Sequence, residues 1–594
     1  MQKTLFIILV VVGLNFSFSQ NSEVLADSYF KKGEFKKALV IYENLLKEKP
    51  YSYKYIYKLI ETHQQLEDFD KAEDIIVQRL AKRQNPSLII ELGYNFQLKD
   101  SLNRANKLYD EAILTVDEKP SYIYSVAKKF EDHSLLEQAI RVYDKAKLLT
   151  PDRNYSLQLA RIYGDQGNIE KMFGNYIDYI EYRPNYLNNI KRNISDFISE
   201  NKENENNTYL RRLLLKKIQK APNPYWYQLL SWLYVQEKAY NKSFIQEKAL
   251  YKRNPESLDR IIELAVTALN DNDKETSRDI FDYILETTQD PSTALTAHQY
   301  ILEIDTENAS VNELKRIDET YRNLFRQFGK SELTLALQLA YGQFLAFNKK
   351  DTNGATAFLR KSLKLNISEF QEAKVKLLLA DILVLKEKFN EALIFYSQIQ
   401  LSLKNSTISQ EARFKVAKTS YYKGDFDWAE SQLKILKSST SQLIANDALD
   451  LKLLISDNKY EDSLQTALKY YAKADLFNFQ HRIDDAIFLL DKILKEHAGE
   501  SITDQALYQQ AKLYEKKKQY NKAEANYLLI IKDWREDILA DDAHYYLAEL
   551  YNSYLAKPED AKQLYEKIIF EFEDSIYFIE ARKKFRMLRG DSIN

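Results

Sequence analysis

Six histidines occur in the 594 residues: His63, His133, His298, His481, His497 and His544. A zinc hydrolase needs two histidines one helical turn apart with a glutamate between them, and no H-E-x-x-H or other one-turn pair exists. His133 with Glu137 comes nearest, and it reads as an exposed helix-turn pair. Gly329-Lys330-Ser331 has the form of the end of a phosphate-binding loop. That loop needs a glycine where Leu324 stands, and a buried strand before it. Neither G-x-S-x-G nor G-x-G-x-x-G occurs, so nucleophile-elbow and dinucleotide chemistry lack their sequence. Asp484-Asp485 and Asp541-Asp542 have the composition of acid/base pairs. Each pair opens a helical pattern, where the positive end of the helix dipole favours acids, so each reads as a helix start. There is no cysteine, which removes disulfides, thiolate metal sites and a cysteine nucleophile. The residues thus offer no catalytic group, no metal site and no cofactor site.

The elements that carry these residues repeat. Ala38, Ala72, Ala105 and Ala139 fall 34, 33 and 34 residues apart. Tyr42, Ile76, Tyr109 and Tyr143 follow them one helical turn later. In the first unit Ala26, Tyr29 and Phe30 share one helix, Gly33 permits the turn, and Phe35, Ala38, Tyr42 and Leu45 line a second. Pro50 ends the unit. Further units centre on Ala160/Tyr176, Tyr234/Ser243 and Ala265/Phe281. The spacing then widens: Ala355, Ala392 and Ala429 are 37 apart, and Ala486, Ala523 and Ala561 are 37 and 38 apart. Scarce glycine (12) and proline (10) argue against sheets, and abundant tyrosine (43) and phenylalanine (29) supply knobs for inter-helix holes.

With these small and aromatic positions the chain resembles the tetratricopeptide repeat (TPR) family. The resemblance implies an all-α, TPR-type α-solenoid: a right-handed superhelix of antiparallel helix pairs, here with irregular junctions. It implies a groove lined by the first helix of each pair, which binds an extended peptide or a partner helix. The repeat register places Tyr57, Glu61, Tyr94, Tyr124, Lys128, Arg161 and Trp232 on that face. Members that clamp a carboxylate terminus carry Lys and Asn where this chain has Glu23 and Asp27, whose charge repels such a ligand. In the C-terminal third, Asp541-Asp542-Ala543, Leu547 to Tyr551, Ala561, Tyr565, Asp574-Ser575 and Ala581-Arg582 are similar to outer-membrane-assembly and cell-envelope coordination proteins of the family. Those relatives dock other envelope proteins and catalyse nothing.

The expected organisation is a signal peptide at 1–19, a first array at 20–185 and an irregular junction at 186–221. Central units follow at 222–291, irregular helices at 292–330 and a second array at 331–590. The polar run Glu200 to Asn207 reads as a solvated loop, and 441–457 as one unpaired helix. Lys3, the apolar run Leu5 to Phe16 and the small residues Ser17 and Ser19 read as a signal cleaved before Gln20. The run is shorter than the ~20 residues that span a bilayer, so no membrane insertion is expected, and without cysteine there is no lipoprotein anchor. Lys plus Arg total 85 against 87 Asp plus Glu, with no block of like charge to serve nucleic acid. The reading is a non-catalytic scaffold of the periplasm or cell envelope that binds other proteins. The alternative is a carrier or sensor that stacks Tyr and Trp on envelope polysaccharide.

Overall fold

The computed structural model describes residues 22–436, 442–460 and 463–591. The expected signal peptide, with its cleavage point before Gln20, lies outside the described residues. No strand occurs among the described residues, and the chain is an all-helical repeat solenoid. It divides into two compact units after Ser257.

In the first unit α1 (22–31) pairs with α2 (Phe35–Glu48), and α3 (Tyr53–Gln65) with α4 (Phe69–Lys82). The pairs α5 (Pro86–Leu98) with α6 (Leu102–Glu118), α7 (Ile123–Asp132) with α8 (Leu136–Leu149), and α9 (Ser156–Asp165) with α10 (Ile169–Tyr182) follow. Then come α11 (Leu187–Ser195), α12 (Glu205–Lys220) and the pair α13 (Pro224–Gln236) and α14 (Tyr240–Arg253).

The second unit opens with α15 (Asp259–Asn270) and α16 (Lys274–Thr287), then α17 (Pro291–Thr306) and α18 (Val311–Phe328). Helix α19 (Leu335–Gln343) runs into a wider π turn, Phe344–Asn348, before α20 (Thr352–Ser362). Next are α21 (Glu369–Leu385) with α22 (Phe389–Ser402) and α23 (Thr407–Lys423) with α24 (Phe426–Leu436). One helix, α25 (Gln442–Asn458), has no paired helix of its own among the described residues and packs on α24 and α23. The pairs then resume: α26 (Thr466–Phe479) with α27 (Ile483–Glu496), α28 (Thr503–Lys516) with α29 (Tyr520–Asp533), and α30 (Ala540–Ser553) with α31 (Pro558–Glu571). Helix α32 (Phe578–Arg589) packs on α31. Helix α26 lies directly on α23, so α25 is an insertion between two repeats.

Local chemistry explains the pairing. The turn inside a pair carries a left-handed residue two positions before the second helix, such as Gly33 at φ 75° and Gly424 at φ 84°. That conformation ends the first helix and reverses the chain. The small residue then lets the helices meet: a Cβ added at Gly93 of α5 would lie 2.6 Å from Tyr109 Cε1 of α6. Where a tyrosine stands four residues after the alanine its ring is buried, and its hydroxyl donates to a side chain of the pair's first helix. Tyr42 donates to Asp27 at 2.5 Å, Tyr109 to Gln97 at 2.9 Å, Tyr143 to Glu131 at 3.1 Å and Tyr396 to Asp381 at 2.5 Å. Tyr527 to Glu515 and Tyr565 to Glu549 repeat the clasp. Each ring fills the hole between helices while its polar tip stays satisfied, which removes the desolvation cost of burying a phenol. Lysines of the next repeat bind the same acids: Lys415 Nζ sits 2.9 Å from Asp381 and Lys584 Nζ 2.6 Å from Glu549.

The run Glu200 to Asn207 is not wholly a solvated loop. Asn204 accepts from the backbone N–H groups of Asn206 and Asn207 and starts α12. Asn207 is fully buried and donates to Ser199 O at 2.7 Å and to Glu237 Oε1 at 3.2 Å. A run of Asn and Glu reads as loop by composition, but Asn is also a strong cap, and Leu210 and Leu214 hold the helix it starts.

Candidate functional site

The expected groove residues all lie on first helices of the first unit: Tyr57 and Glu61 on α3, Tyr94 on α5, Tyr124 and Lys128 on α7, Arg161 on α9 and Trp232 on α13. The structure separates them into three environments.

Tyr57 and Tyr94 belong to a buried network. Glu91 of α5, with only 5% of its side chain exposed, takes Lys129 Nζ of α7 at 2.8 Å and lies 3.2 Å from His133 Nε2. The ammonium of Lys129 also sits 4.2 Å from the centre of the Tyr57 ring, and His133 stacks on Tyr94 at 3.9 Å. Burial pushes the Glu91 carboxyl up, but His133 and Lys129 outweigh it and hold the group below its usual range. Burial also moves the Tyr57 phenol, to about 12. His133 is therefore not an exposed partner of Glu137. It ends α7 one repeat from Glu91, and the buried Glu91 carboxylate draws the Lys129 ammonium and the His133 ring inward. Glu61 stays at the rim, where Lys58 Nζ is 2.9 Å away.

Trp232 is half-buried against the apolar cluster of α9 to α13. Ser231, its neighbour in sequence, faces the second helix and meets Ser243 Oγ at 2.9 Å.

Tyr124, Lys128 and Arg161 come together. With Ser125, Glu131, Tyr143 and Gln158 they line a cleft of about 490 Å³ between α7 and α9. Tyr124 is 43% exposed, and its ring leans on Tyr155 at 5.5 Å and on Tyr143 at 6.4 Å. Burial raises its phenol above the usual range and Tyr155 adds to this, while the charge of Arg153 acts against it. Lys128 is engaged by Asp132 at 3.1 Å and Glu131 at 3.9 Å. Two features here escaped the sequence reading. Gln158 lies on the same face of α9 one turn before Arg161, and Arg153 precedes the helix. The repeat register reaches Gln158, as it reached Tyr124 and Lys128; nothing in the spacing points to Arg153.

Glu23 and Asp27, expected to repel a carboxylate terminus, are occupied within the chain. Glu23 accepts from Lys54 and from Tyr55 at 2.6 Å, and Asp27 from Tyr42. The acids that open α27 and α30 stand in the first turns of those helices. Asp542 also accepts from Tyr577 at 2.8 Å and Tyr508 at 3.3 Å. No group of His, Asp and Glu that could hold a metal occurs among the described residues, and no helix there is long and apolar enough to cross a membrane.

Residues 20–113 match the model of the TT21 fifth ARM repeats domain, a stretch that holds the first three helix pairs up to residue 113. A comparison with curated proteins finds no match. Among solved structures the chain is similar to Naa15/Naa10 bound to HypK-THB, at 13% identity and a TM-score of 0.30, covering 97% of this chain and 94% of that one. The APC/C hetero-tetramer Cut9-Hcn1 aligns at 12% identity and a TM-score of 0.22, covering 96% of each chain. Yeast Tom70 aligns at 13% identity and 0.27, covering 96% and 99%. Superpositions this loose assign no activity to the chain.

Proposed function

We propose that the chain is a non-catalytic scaffold that holds a segment of another protein along the first-helix face of its first unit. The observation that carries this reading is the cleft at Tyr124, Lys128 and Arg161, an exposed aromatic beside charge on a rigid helical framework. We further propose that the protein is exported and acts in the periplasm or cell envelope, in outer-membrane biogenesis or secretion. That rests on the N-terminal reading of Lys3 to Ser19 and on the C-terminal resemblance alone.

Pull-down with the tagged mature chain, compared with the double variant Tyr124→Ala/Lys128→Ala, tests the scaffold. A protein held stoichiometrically by the first and lost from the second supports it, with helicity and melting unchanged. Arg141→Ala on α8, which breaks only an exposed pair with Asp110, should retain the partner. Purified envelope glycan bound in place of any protein would transfer the cleft to the polysaccharide reading. N-terminal sequencing tests export, which requires Gln20 as the first residue.

A further inference from the structure

The cleft between α7 and α9 has an uneven charge balance. Glu131 is committed to the Tyr143 hydroxyl and to Lys128, and Lys128 is shared with Asp132. Arg161, on the opposite wall, has no ion-pair partner among the described residues. Arg153, near enough for its charge to act on the Tyr124 phenol, has none either. Arg161 therefore enters the cleft, and Arg153 acts on its exposed tyrosine, with no acid bound to either among the described residues. A third feature is independent of charge. The side-chain oxygen of Gln158 is buried in the wall of the cleft and accepts no hydrogen bond from the described residues. A buried acceptor without a donor costs free energy, and a bound donor would recover it.

We infer that the cleft reads an acidic residue in an extended peptide segment of the partner. The segment's carboxylate meets Arg161, with Arg153 adding long-range attraction, and a backbone N–H of the same segment donates to Gln158 Oε1. The Tyr124 ring packs on the adjoining side chain. An N–H donor beside a carboxylate is what an Asp or Glu residue in an extended chain presents. Guanidinium is the cation that pairs such a group in two parallel hydrogen bonds. This inference rests on the scaffold reading and adds the chemistry of the partner.

The test is selection of random peptides from a display library on the full mature chain, with binding measured for the best sequences. Enrichment of Asp or Glu at one position is expected. Replacing that acid by its amide, or Arg161 by Gln, should each weaken binding about tenfold, and the two together should cost little more than either. Gln158→Leu gives a signature that a purely structural role cannot mimic: binding falls while thermal stability holds or rises, because the unpaired acceptor is gone. Peptides selected with no acidic position, yet lost from Tyr124→Ala, would overturn the charge inference and leave the scaffold standing. Peptides indifferent to Tyr124→Ala and Arg161→Gln would place binding elsewhere and overturn both. An anionic glycan that competes for Arg161 where acidic peptides fail would overturn the choice of a protein segment.

Discussion

The first helices of the early repeats and those of the last repeats solve the same packing problem with different chemistry. On α3, α5 and α7 a buried carboxylate, Glu91, gathers Lys129 and His133, with the Tyr57 ring against the ammonium and the Tyr94 ring stacked on the imidazole. On α28, α30 and α32 the rings meet one another. Tyr545 stacks on Tyr577 at 4.2 Å, Tyr546 meets Tyr508 and Tyr577 edge-on or tilted, and the Lys512 ammonium sits 3.4 Å from the centre of Tyr546. Asp542 accepts two of the hydroxyls. The early network needs its negative charge, because the buried Lys129 ammonium depends on it. The late one asks chiefly for an acceptor, because the groups hydrogen-bonded to Asp542 are neutral phenols. One repeat framework can therefore carry an ionic joint beside an open cleft, or a joint closed by its own tyrosines.

Neutralising the early joint should have the largest effect. Glu91→Gln leaves the Lys129 ammonium half-buried without a counter-charge, and such breakage costs about 3 kcal/mol. Each repeat contacts chiefly its neighbours, so hydrogen exchange should accelerate in α3 to α8 and hardly at all in α28 to α32. Equal loosening at both places would mean that the repeats do not act locally.

Most of the framework was legible and much of the site was not, for a physical reason. Helix pairs follow from Ala38/Tyr42 and Ala105/Tyr109 because a close approach and a large knob are needed at fixed steps along one helix. The acceptors of those tyrosines are not at fixed steps. Asp381 lies 15 residues from Tyr396, Glu515 lies 12 from Tyr527, and Glu549 lies 16 from Tyr565. A long side chain on one turn replaces a short one on the next, and Gln97 serves as well as an acid. Glu91 and Lys129 are 38 residues apart across two repeats, where helix length and turn length both vary. Tyr124, Lys128 and Arg161 were reachable because register alone selects them. That they share one cleft, and that the charge of Arg153 reaches Tyr124, depends on tertiary geometry.

Lowering pH should separate the two regions by sign. The folded state depresses the Glu91 carboxyl, so its contribution is complete at neutral pH and is lost only as pH falls below the ordinary glutamate range near 4. Asp504, 4% exposed in the first turn of α28, is pushed up to about 6, chiefly by burial. Its folded value exceeds the unfolded one, so its contribution is full below about pH 4 and disappears as pH rises through 6. Between pH 7 and pH 5 the amides of α28 should gain protection, on the order of 1 kcal/mol, while Glu91 contributes no change to those of α5 and α7. Asp504→Asn should abolish the gain. Native-state hydrogen exchange at the two pH values, corrected for intrinsic rates, measures this; a gain that survives Asp504→Asn would contradict the assignment.

The smallest expected effect is the sharpest test of the contrast. Burial raises the Asp542 carboxyl, and Asp541 adds to this, while hydrogen bonds from Tyr577 and Tyr508 and the charge of Lys512 pull it back. The charged form therefore gains little at this site. Both hydroxyls donate to the same oxygen, Oδ1, and an amide oxygen in its place can accept both. Asp542→Asn should leave the stability of α28 to α32 within about 0.5 kcal/mol of the parent at pH 7, whereas Asp542→Ala strands two phenols and costs about 1–3 kcal/mol. Chemical denaturation followed by hydrogen exchange in the last repeats distinguishes them. If Asp542→Asn proves as costly there as Glu91→Gln is in the first unit, the late joint is ionic too, and the tyrosines surround a charge they must keep.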